Sequence, residues 1–419
     1  MNRAAIVLAA DSTVTIKVNG GKVHYPGVEK IFGLSHLHSV GVMVNGASYF
    51  FGIPWEVMIK TYRTDMLSGS KVFNKLEEYV DSFVKFLIGF HKERIDYSAL
   101  QVVAYEKLHD QMLNLRQEFK RSCSELLRRK FKDIEDQDNS YEKMLNEYIS
   151  HLKEEIEKHI QYLIDGGHNL DEFFSSAKGL LKNKKLKELS KEVFGRAKID
   201  DELLLKIFVI CGVRSAFIPD ENDVSTIVIC GYGSDEYSPT LVEIEVRSIL
   251  GIRFQASIGP KVVIDASTPA DFRVFGESEI AEMFLTGISK QFINDFKEEF
   301  KNKLSSHPKI AKKFPFDIIH NVSDIVQESV RKQIIKSVAH LPKHFLGNMA
   351  EKLITLSSIK SHVKDVDGSV GGPVSVAIIS KGDGLVWINR PHYFDVSKNP
   401  HFLARYHPVA KHGAGSSET

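Results

Sequence analysis

Apolar residues alternate with polar ones near both ends of the chain and recur at helical spacing between those ends. An apolar run over 4–10 leads into alternation over 14–18, and the Asn-Gly-Gly at 19–21 is a strong turn signal. This pattern predicts a strand and a hairpin, followed by further strands over 23–32 and 37–44. The beginning of the chain is therefore predicted to be rich in strands.

The composition changes between Val72 and Leu204, where strong helix formers dominate and Gly and Pro are sparse. Two stretches keep their apolar residues near heptad spacing, and the polar segment 136–140 separates them. This spacing predicts a coiled-coil-like antiparallel hairpin of two long helices, which we interpret as a helical insertion over 72–204. The stripes fit packing within the chain as well as contact with a partner protein. They consist of Leu108, Met112, Leu115, Phe119 and Leu126, and of Leu145, Tyr148, Leu152, Ile156, His159 and Leu163.

Strand patterns return after the insertion and alternate with helical ones. Three residues that suit a tight hairpin turn separate the final two strands, 374–380 and 384–389. This order of elements is typical of an α+β protein in which two antiparallel sheets pack face to face under helices. We therefore predict a four-layer αββα sandwich whose core is formed by 1–71 and 205–406, with a disordered tail at 407–419. The other predicted strands cover 225–233, 241–246, 253–257 and 261–264, and the other predicted helices cover 277–305, 316–338 and 345–359.

Charge and composition narrow the range of partners. The chain has 55 Lys and Arg residues against 54 Asp and Glu residues, so no net field would attract nucleic acid or an anionic membrane. No apolar run is long enough for a membrane span, and three cysteines without disulfide or metal-site spacing indicate a reducing cytoplasm. His36 and His38 lack further ligands nearby, so we expect solvent-facing histidines rather than a metal site. We expect no cofactor.

Asp11 and Lys30 are charged residues in apolar surroundings. Asp11 follows the apolar run that ends at Ala10, where a carboxylate commonly accepts the backbone hydrogen bonds of a turn. Lys30 lies within the Val-Glu-Lys-Ile-Phe segment at 28–32, and a half-buried lysine is costly unless it is paired. We therefore predict an ion pair between Asp11 and Lys30. Considered one at a time, both residues are explained by these structural roles.

Several segments, spread over both ends of the chain, together resemble one family. They are Val-Leu-Ala-Ala-Asp-Ser at 7–12, Glu-Lys-Ile-Phe at 29–32, Cys-Gly-Tyr-Gly at 230–233, Ser-Pro-Thr-Leu at 238–241 and Gly-Gly-Pro-Val-Ser-Val at 371–376. In this order they resemble proteasome-type N-terminal-nucleophile (Ntn) hydrolases, in particular proteasome β-subunits. The resemblance covers roughly half of the chain and leaves the helical middle unexplained.

The resemblance implies hydrolysis of peptide or amide bonds by an N-terminal nucleophile, typically a threonine hydroxyl, through an acyl-enzyme. The free α-amino group takes the proton of the nucleophile. Lys30 would keep positive charge beside the nucleophile, and Asp11 would orient this lysine. Asp367 falls where the family places a carboxylate near the terminal amine.

The same resemblance implies an oxyanion-binding element and a set of partners. A backbone N–H within the small-residue break of Asn45, Gly46 and Ala47 would donate to the oxyanion and contact a peptide substrate. Family members assemble into rings, so we expect self-association into a ring or dimer. The helical insertion is expected to project as a docking or gating element for a partner protein.

The chain also departs from the family pattern. Counting back from Asp11 places the nucleophile ahead of Met1, and Asn2 offers no hydroxyl or thiol. Glu277 and Val370 replace two serines that assist in active family members. Two explanations follow: an upstream strand that carries Thr, Ser or Cys, or a non-catalytic relative that keeps the fold as a scaffold or binding subunit.

Overall fold

The computed structural model describes residues 1–18, 21–34, 38–66, 72–130, 183–194, 204, 207–208, 210–211, 224–249, 253–276, 279–305, 317–364 and 371–402. The fold is mixed α/β, and its sheets are antiparallel. The chain divides into two compact units, one formed by Met1–Ile31 with Ile264–Thr419 and the other by Phe32–Val263. We call them the split unit and the continuous unit.

The elements are numbered in chain order. The strands are β1 (Ile6–Ala10), β2 (Val14–Val18), β3 (Gly21–Tyr25), β4 (Ile31–Gly33), β5 (Val40–Gly46), β6 (Tyr49–Phe50), β7 (Ile53–Pro54), β8 (Val224–Gly231), β9 (Thr240–Ile249), β10 (Arg253–Ile258), β11 (Val262–Val263), β12 (Ser375–Ser380) and β13 (Gly384–Asn389). The helices are α1 (Trp55–Met66), α2 (Leu76–Glu93), α3 (Tyr97–Lys130), α4 (Asn183–Phe194), α5 (Glu279–Thr286), α6 (Lys290–Ser305), α7 (Asp317–Val338) and α8 (Lys343–Lys364). Within the described ranges, none of the helices combines the length and apolar character that a membrane crossing needs.

The sheet of the split unit joins the two ends of the chain. Its described strands run in the order β1-β12-β13 and are antiparallel, with Ile6 opposite Ile379 and Ala10 opposite Ser375. Buried and half-buried residues alternate along β1, because successive side chains of a strand point to opposite faces. The predicted final hairpin is confirmed, with β12 and β13 joined over residues 381–383.

Helix α8 covers one face of this sheet, packing on β1 and β12. The backbone of α8 approaches closely at Gly347, where an added Cβ would lie 3.4 Å from Ile378 Cδ1. Beside this contact lies a small apolar cluster of Ala270, Val338 and Leu346. Partly buried apolar side chains, among them Val7 and Met349, pack against this cluster.

A buried asparagine holds the segment before β1. Asn2 is 1% exposed, and its Nδ2 donates to the carbonyl oxygens of Val338 and Leu341, each at 2.9 Å. Its Oδ1 accepts from the backbone N–H of Ala4 at 2.9 Å. One side chain thus makes three hydrogen bonds, and two of them connect the beginning of the split unit to the end of α7.

The sheet of the continuous unit runs in the order β10-β9-β8-β5-β4, and β11 also pairs with β9. The long strands β8 and β9 are mostly buried, and α2 packs against both. One apolar cluster fills this unit, and aromatic side chains contribute much of its volume. Its most enclosed large members include Tyr62, Tyr79, Phe83, Met58, Ile59 and Leu76.

The first predicted insertion helix packs within the chain. Leu108, Met112, Leu115 and Phe119 on α3 are each at most 1% exposed, and α4 packs against α3. This burial shows that these four residues of the first stripe pack within the chain, whereas the side chain of Leu126 lies outside the described part. The second stripe and its turn lie outside the described residues, as does the tail 407–419. The boundaries 72–204 stay a prediction.

Four sequence predictions need correction. The strand expected over 23–32 is interrupted after Tyr25, because Pro26 has no N–H to donate and Gly27 has a positive φ of 104°. The helix expected over 277–305 divides into α5 and α6 at Gly287, where φ is 75°. The break expected after Val44 comes later, because β5 continues through Gly46.

The expectation that His38 faces solvent is also wrong. Its side chain belongs to the continuous unit and is 1% exposed. The imidazole meets the ring of Tyr79 edge to face, with 5.6 Å between the ring centroids. An aromatic neighbour and enclosure explain this histidine as a packed core residue. His36 lies outside the described residues.

Candidate functional site

The predicted ion pair between Asp11 and Lys30 is present in the split unit. Lys30 Nζ donates to Asp11 Oδ1 at 2.7 Å, and the two side chains are 24% and 14% exposed. The other carboxylate oxygen, Oδ2, accepts from the backbone N–H of Thr13 at 3.1 Å and of Gly371 at 3.3 Å. Asp11 therefore connects three segments that include residues 360 positions apart in the chain.

Local hydrogen bonds bring Lys30 to the end of β1. The carbonyl oxygen of Ser12 accepts from the N–H of Gly27 at 3.0 Å and from that of Val28 at 2.9 Å. These bonds fasten the segment after β3 to the segment after β1, so that the lysine, two residues beyond Val28, meets the carboxylate. The β2–β3 hairpin between them returns the chain to the same place.

Beside the ion pair, Ser12 is a buried hydroxyl without a partner. The residue is 6% exposed, and among the described side chains its Oγ is one of the buried polar atoms that make no hydrogen bond. Gly372 lies directly against it with φ of 74°, and an added Cβ there would be 2.5 Å from Ser12 Oγ. A buried orphan hydroxyl costs free energy, so its presence next to Asp11 calls for an explanation.

The chemistry available to this site follows from the lysine. An ammonium has three N–H donors, and within the described part of the chain Asp11 takes one of them. Lys30 remains one-quarter exposed, so it can also donate to a substrate oxygen or stabilise negative charge nearby. Asp11 holds the ammonium in place while its own second oxygen is fixed by backbone N–H groups.

The predicted oxyanion element lies in the continuous unit. Asn45 and Gly46 end β5 opposite Thr226 and Ser225 of β8. Gly46 has φ of 85°, and a Cβ there would be 2.3 Å from the carbonyl oxygen of Val224, so only glycine fits.

The amide of Ala47 is already engaged. Its N–H donates to the carbonyl oxygen of Val224 at 2.8 Å. Its carbonyl accepts from Ser225 Oγ at 2.9 Å, and the same hydroxyl accepts from Trp55 Nε1 at 2.9 Å. An oxyanion role for the Ala47 amide would require its bond to Val224 to open.

The remaining candidate residues are not all described. Asp367, Glu277 and Val370 lie outside the described residues. Asp11 and Lys30 belong to the split unit, whereas Asn45, Gly46 and Ala47 belong to the continuous unit. The structure therefore brings together one predicted pair, Asp11 with Lys30, within a single unit.

Sequence reasoning missed a second ion pair next to Lys30. Arg390 Nη2 donates to Glu29 Oε1 at 2.8 Å, and its guanidinium lies 4.7 Å from the centre of the Trp387 ring. Burial, followed by the positive charge of Arg390, lowers the pKa of His392. The sequence contains a signal for this second pair, because Glu29 is a charged residue in the same apolar segment as Lys30 and therefore also needs a partner.

No cluster of three or more His, Cys, Asp or Glu side chains that could hold a metal ion occurs among the described residues. Burial raises the pKa of Cys230 to about 12, so this thiol is a core residue and not a nucleophile. Comparisons with protein-family models, with curated proteins and with solved structures found no match to this chain.

Proposed function

We propose that this chain is a proteasome-like Ntn-hydrolase-fold protein that hydrolyses peptide or amide bonds at a site built on Asp11 and Lys30. One observation carries the proposal. The motif-derived ion pair forms at 2.7 Å at the end of β1, in a unit whose sheet pairs the first strand with β12. Both features are what the resemblance implies for the two ends of the chain.

The four-layer αββα arrangement is part of this proposal. Two observations support it: each unit contains an antiparallel sheet, and each sheet has helices against one face. In the split unit the covering helix is α8, and in the continuous unit it is α2. Sheets that each carry a helical layer are the building blocks of such a sandwich.

In the proposed reaction, a terminal hydroxyl or thiol attacks the scissile carbonyl and its α-amino group takes the proton. The carbonyl oxygen becomes an oxyanion, which a backbone N–H donor stabilises. The proton then passes to the leaving amine, and water hydrolyses the acyl-enzyme. Lys30 supplies fixed positive charge beside the nucleophile, and Asp11 holds that lysine.

The test is a hydrolysis assay on the chain expressed from the codons that precede Met1, with fluorogenic peptide amides as substrates. Lys30→Met should lower kcat by about 100-fold or more, because the charge that stabilises the transition state is removed. Lys60→Met is the matched control, since Lys60 forms an i,i+4 ion pair with Glu56 on α1. Equal rates in Lys30→Met and in the parent chain would overturn the proposal.

A non-catalytic scaffold or binding subunit is the second candidate, and a specific observation favours it. The carboxylate of Asp11 has three donors, all of them within the split unit. These three bonds are enough to explain a structural role for Asp11 and Lys30, in which neither residue takes part in catalysis. This candidate predicts no turnover of peptide amides and a loss of stability in Lys30→Met.

The partner expectations also belong to this proposal. Self-association into a ring or dimer and docking of a partner protein through the helical insertion are what the resemblance and the insertion imply. The described residues of the α3 stripe are buried within the chain, so we do not propose this stripe as the docking surface.

A further inference from the structure

Two neighbouring residues, Glu29 and Lys30, form ion pairs with different partners. Lys30 Nζ donates to Asp11 Oδ1 at 2.7 Å. Arg390 Nη2 donates to Glu29 Oε1 at 2.8 Å. All four side chains are at most one-quarter exposed. A largely buried carboxylate therefore lies one residue away from the lysine on which the candidate site depends.

The sheet of the split unit sets the position of Arg390. Strands β1 and β13 are both antiparallel to β12, so they run parallel to each other and finish at the same end of the sheet. Their last residues lie opposite Ser375 and Val376, which are neighbours on β12. Asp11 directly follows β1, and Arg390 directly follows β13. The two ion pairs therefore share one end of this sheet.

A second contact holds Arg390 in place. Its guanidinium carbon lies 4.7 Å from the centre of the Trp387 ring, and Trp387 lies opposite Ala377 of β12. A guanidinium over an aromatic ring is attracted by the negative face of that ring. Because the sheet and Trp387 fix Arg390, this arginine can hold the carboxylate of Glu29 in one position.

We infer that Arg390 is a positioning residue of the candidate site, which holds Glu29 in an ion pair of its own and so keeps this second carboxylate from neutralising Lys30. The inference deepens the proposed function and rests on it, because the charge of Lys30 matters only if a reaction uses it. Asp11 is the carboxylate that orients the lysine. A second carboxylate would only weaken the positive potential that the lysine provides.

The short distance along the chain makes Glu29 a competitor once Arg390 is removed. Consecutive Cα atoms are about 3.8 Å apart and a glutamate side chain is flexible, so a released Glu29 carboxylate can approach Lys30. At a partly buried site, two unit charges about 7 Å apart still interact by more than the thermal energy. The stabilisation that Lys30 offers to developing negative charge would fall accordingly.

His392 reports on the same charges from outside the two ion pairs. Burial, followed by the positive charge of Arg390, lowers the pKa of its imidazole, and the negative charge of Glu29 acts in the opposite direction. The electrostatic effect of Arg390 therefore extends beyond its own ion pair. The titration of His392 provides a readout of this effect that does not require hydrolysis.

The kinetic test uses the same chain and peptide amides as the test of the proposed function. Arg390→Met should lower kcat by about 10-fold and leave KM within about 2-fold, and added salt should reduce this loss because it screens the released charge. Adding Glu29→Gln to this variant should restore kcat to within about 2-fold of the parent value. Arg94→Met is the matched control, since Arg94 also combines an ion pair, with Asp65 at 2.9 Å, and a ring contact, with Phe90 at 5.5 Å.

Two kinetic results would overturn the inference. One is a kcat in Arg390→Met equal to that of the parent chain. The other is a kcat that stays low after Glu29→Gln is added, since Arg390 would then act through the fold and not through Glu29. If Arg390→Met does not fold, Glu29→Gln alone decides, because it keeps the contact between Arg390 and Trp387. Its kcat should be at or above the parent value, and a loss of about 3-fold or more would overturn the inference.

Carbodiimide coupling separates this inference from the proposed function. The reagent joins a carboxylate to an amine that it contacts, and peptide mapping locates the new amide bond. Lys30 should couple to Asp11 in the parent chain and in part to Glu29 in Arg390→Met, and the pKa of His392, followed by NMR, should rise in this variant. Absence of the new coupling or an unchanged His392 titration would each overturn the inference. Both changes in a chain without hydrolysis would leave the charge arrangement standing and overturn the proposed function alone.

Discussion

The two units hold their sheets in different ways. The continuous unit draws its strands from one stretch of chain and encloses a large cluster of aliphatic and aromatic side chains. The split unit joins strands from both ends of the chain, these strands carry buried aliphatic residues of their own, and buried polar residues connect its segments. Apolar burial supports both units, and in the split unit directional hydrogen bonds from buried polar side chains add to it.

The candidate site lies in the unit whose segments are connected by buried polar residues. Asp11, Ser12 and Asn2 are all buried or nearly buried polar residues of the split unit. A polar group that fixes the position of a neighbour can also orient it for chemistry, which an apolar core cannot do. Substitutions in the two units should therefore differ in their effects on the free energy of unfolding, on hydrogen exchange and on hydrolysis.

The largest expected effect is in the core of the continuous unit. Phe83→Ala removes a ring that is 0% exposed and lies 5.1 Å from the ring of Tyr62, so it should lower the free energy of unfolding by about 3–5 kcal/mol. Urea denaturation followed by near-UV circular dichroism measures this loss. Ile88→Ala, on the same helix but 42% exposed, should cost less than about 1 kcal/mol. Similar losses at both positions would contradict the account of this core.

In the split unit, the buried residue to compare with Phe83 is the polar Asn2. Asn2→Ala leaves two carbonyl oxygens and one N–H without their partners, so the free energy of unfolding should fall by about 2–3 kcal/mol. Arg3→Ala changes an exposed neighbour and should stay within about 0.5 kcal/mol of the parent chain. Hydrogen exchange should show the loss of protection at β1 and the end of α7. If hydrogen exchange at β1 and at the end of α7 did not change, Asn2 would not be the residue that holds these two segments together.

Two buried serines sharpen the comparison further. Ser225→Ala in the continuous unit breaks the bonds to Trp55 and Ala47 and should cost about 1–3 kcal/mol. Ser12→Ala in the split unit removes a hydroxyl that has no hydrogen-bond partner among the described residues, and it should raise the free energy of unfolding by about 1 kcal/mol. A gain in stability accompanied by slower hydrolysis would indicate that the orphan hydroxyl serves the site. Destabilisation by Ser12→Ala would mean that the hydroxyl has a structural partner.

The smallest expected effect concerns Asp383 in the turn between β12 and β13. Hydrogen bonds from Lys343 and Ser380, together with the charge of Lys343, lower the pKa of Asp383. Its stabilising contribution is therefore present above the ordinary value of about 3.9 and is lost as the pH falls through the lower folded pKa. The stability difference between Asp383→Asn and the parent chain should shrink over that range and with added salt. A difference that grows on acidification would contradict this sign.

Sequence reasoning succeeded where a local pattern carries the information. The alternation that predicts β1 and the final hairpin is a property of short segments, and a lone lysine in an apolar segment predicts a partner such as Asp11. The sequence shows a glycine at position 287, but it does not show that this glycine adopts a positive φ and divides the predicted helix in two.

Reasoning from the sequence failed where a role depends on distant contacts. The sequence indicates no structural role for Asn2, yet the partners of its side chain lie at the end of α7. The N–H of Gly371 reaches Asp11 because β1 and β12 pair, and His38 is buried in a core where its ring meets that of Tyr79. The orphan hydroxyl of Ser12 has no sequence signal, since burial and the absence of a partner are both tertiary properties.

The central proposal is that Asp11 and Lys30 support the nucleophile of a hydrolase. Its most direct test is intact-mass analysis of the chain, expressed from the codons ahead of Met1, after reaction with a peptide β-lactone. The account predicts one adduct that carries the whole probe, on a terminal Thr, Ser or Cys, formed far more slowly in Lys30→Met and normally in Lys60→Met. No adduct, or an adduct that forms equally fast in Lys30→Met, would contradict it.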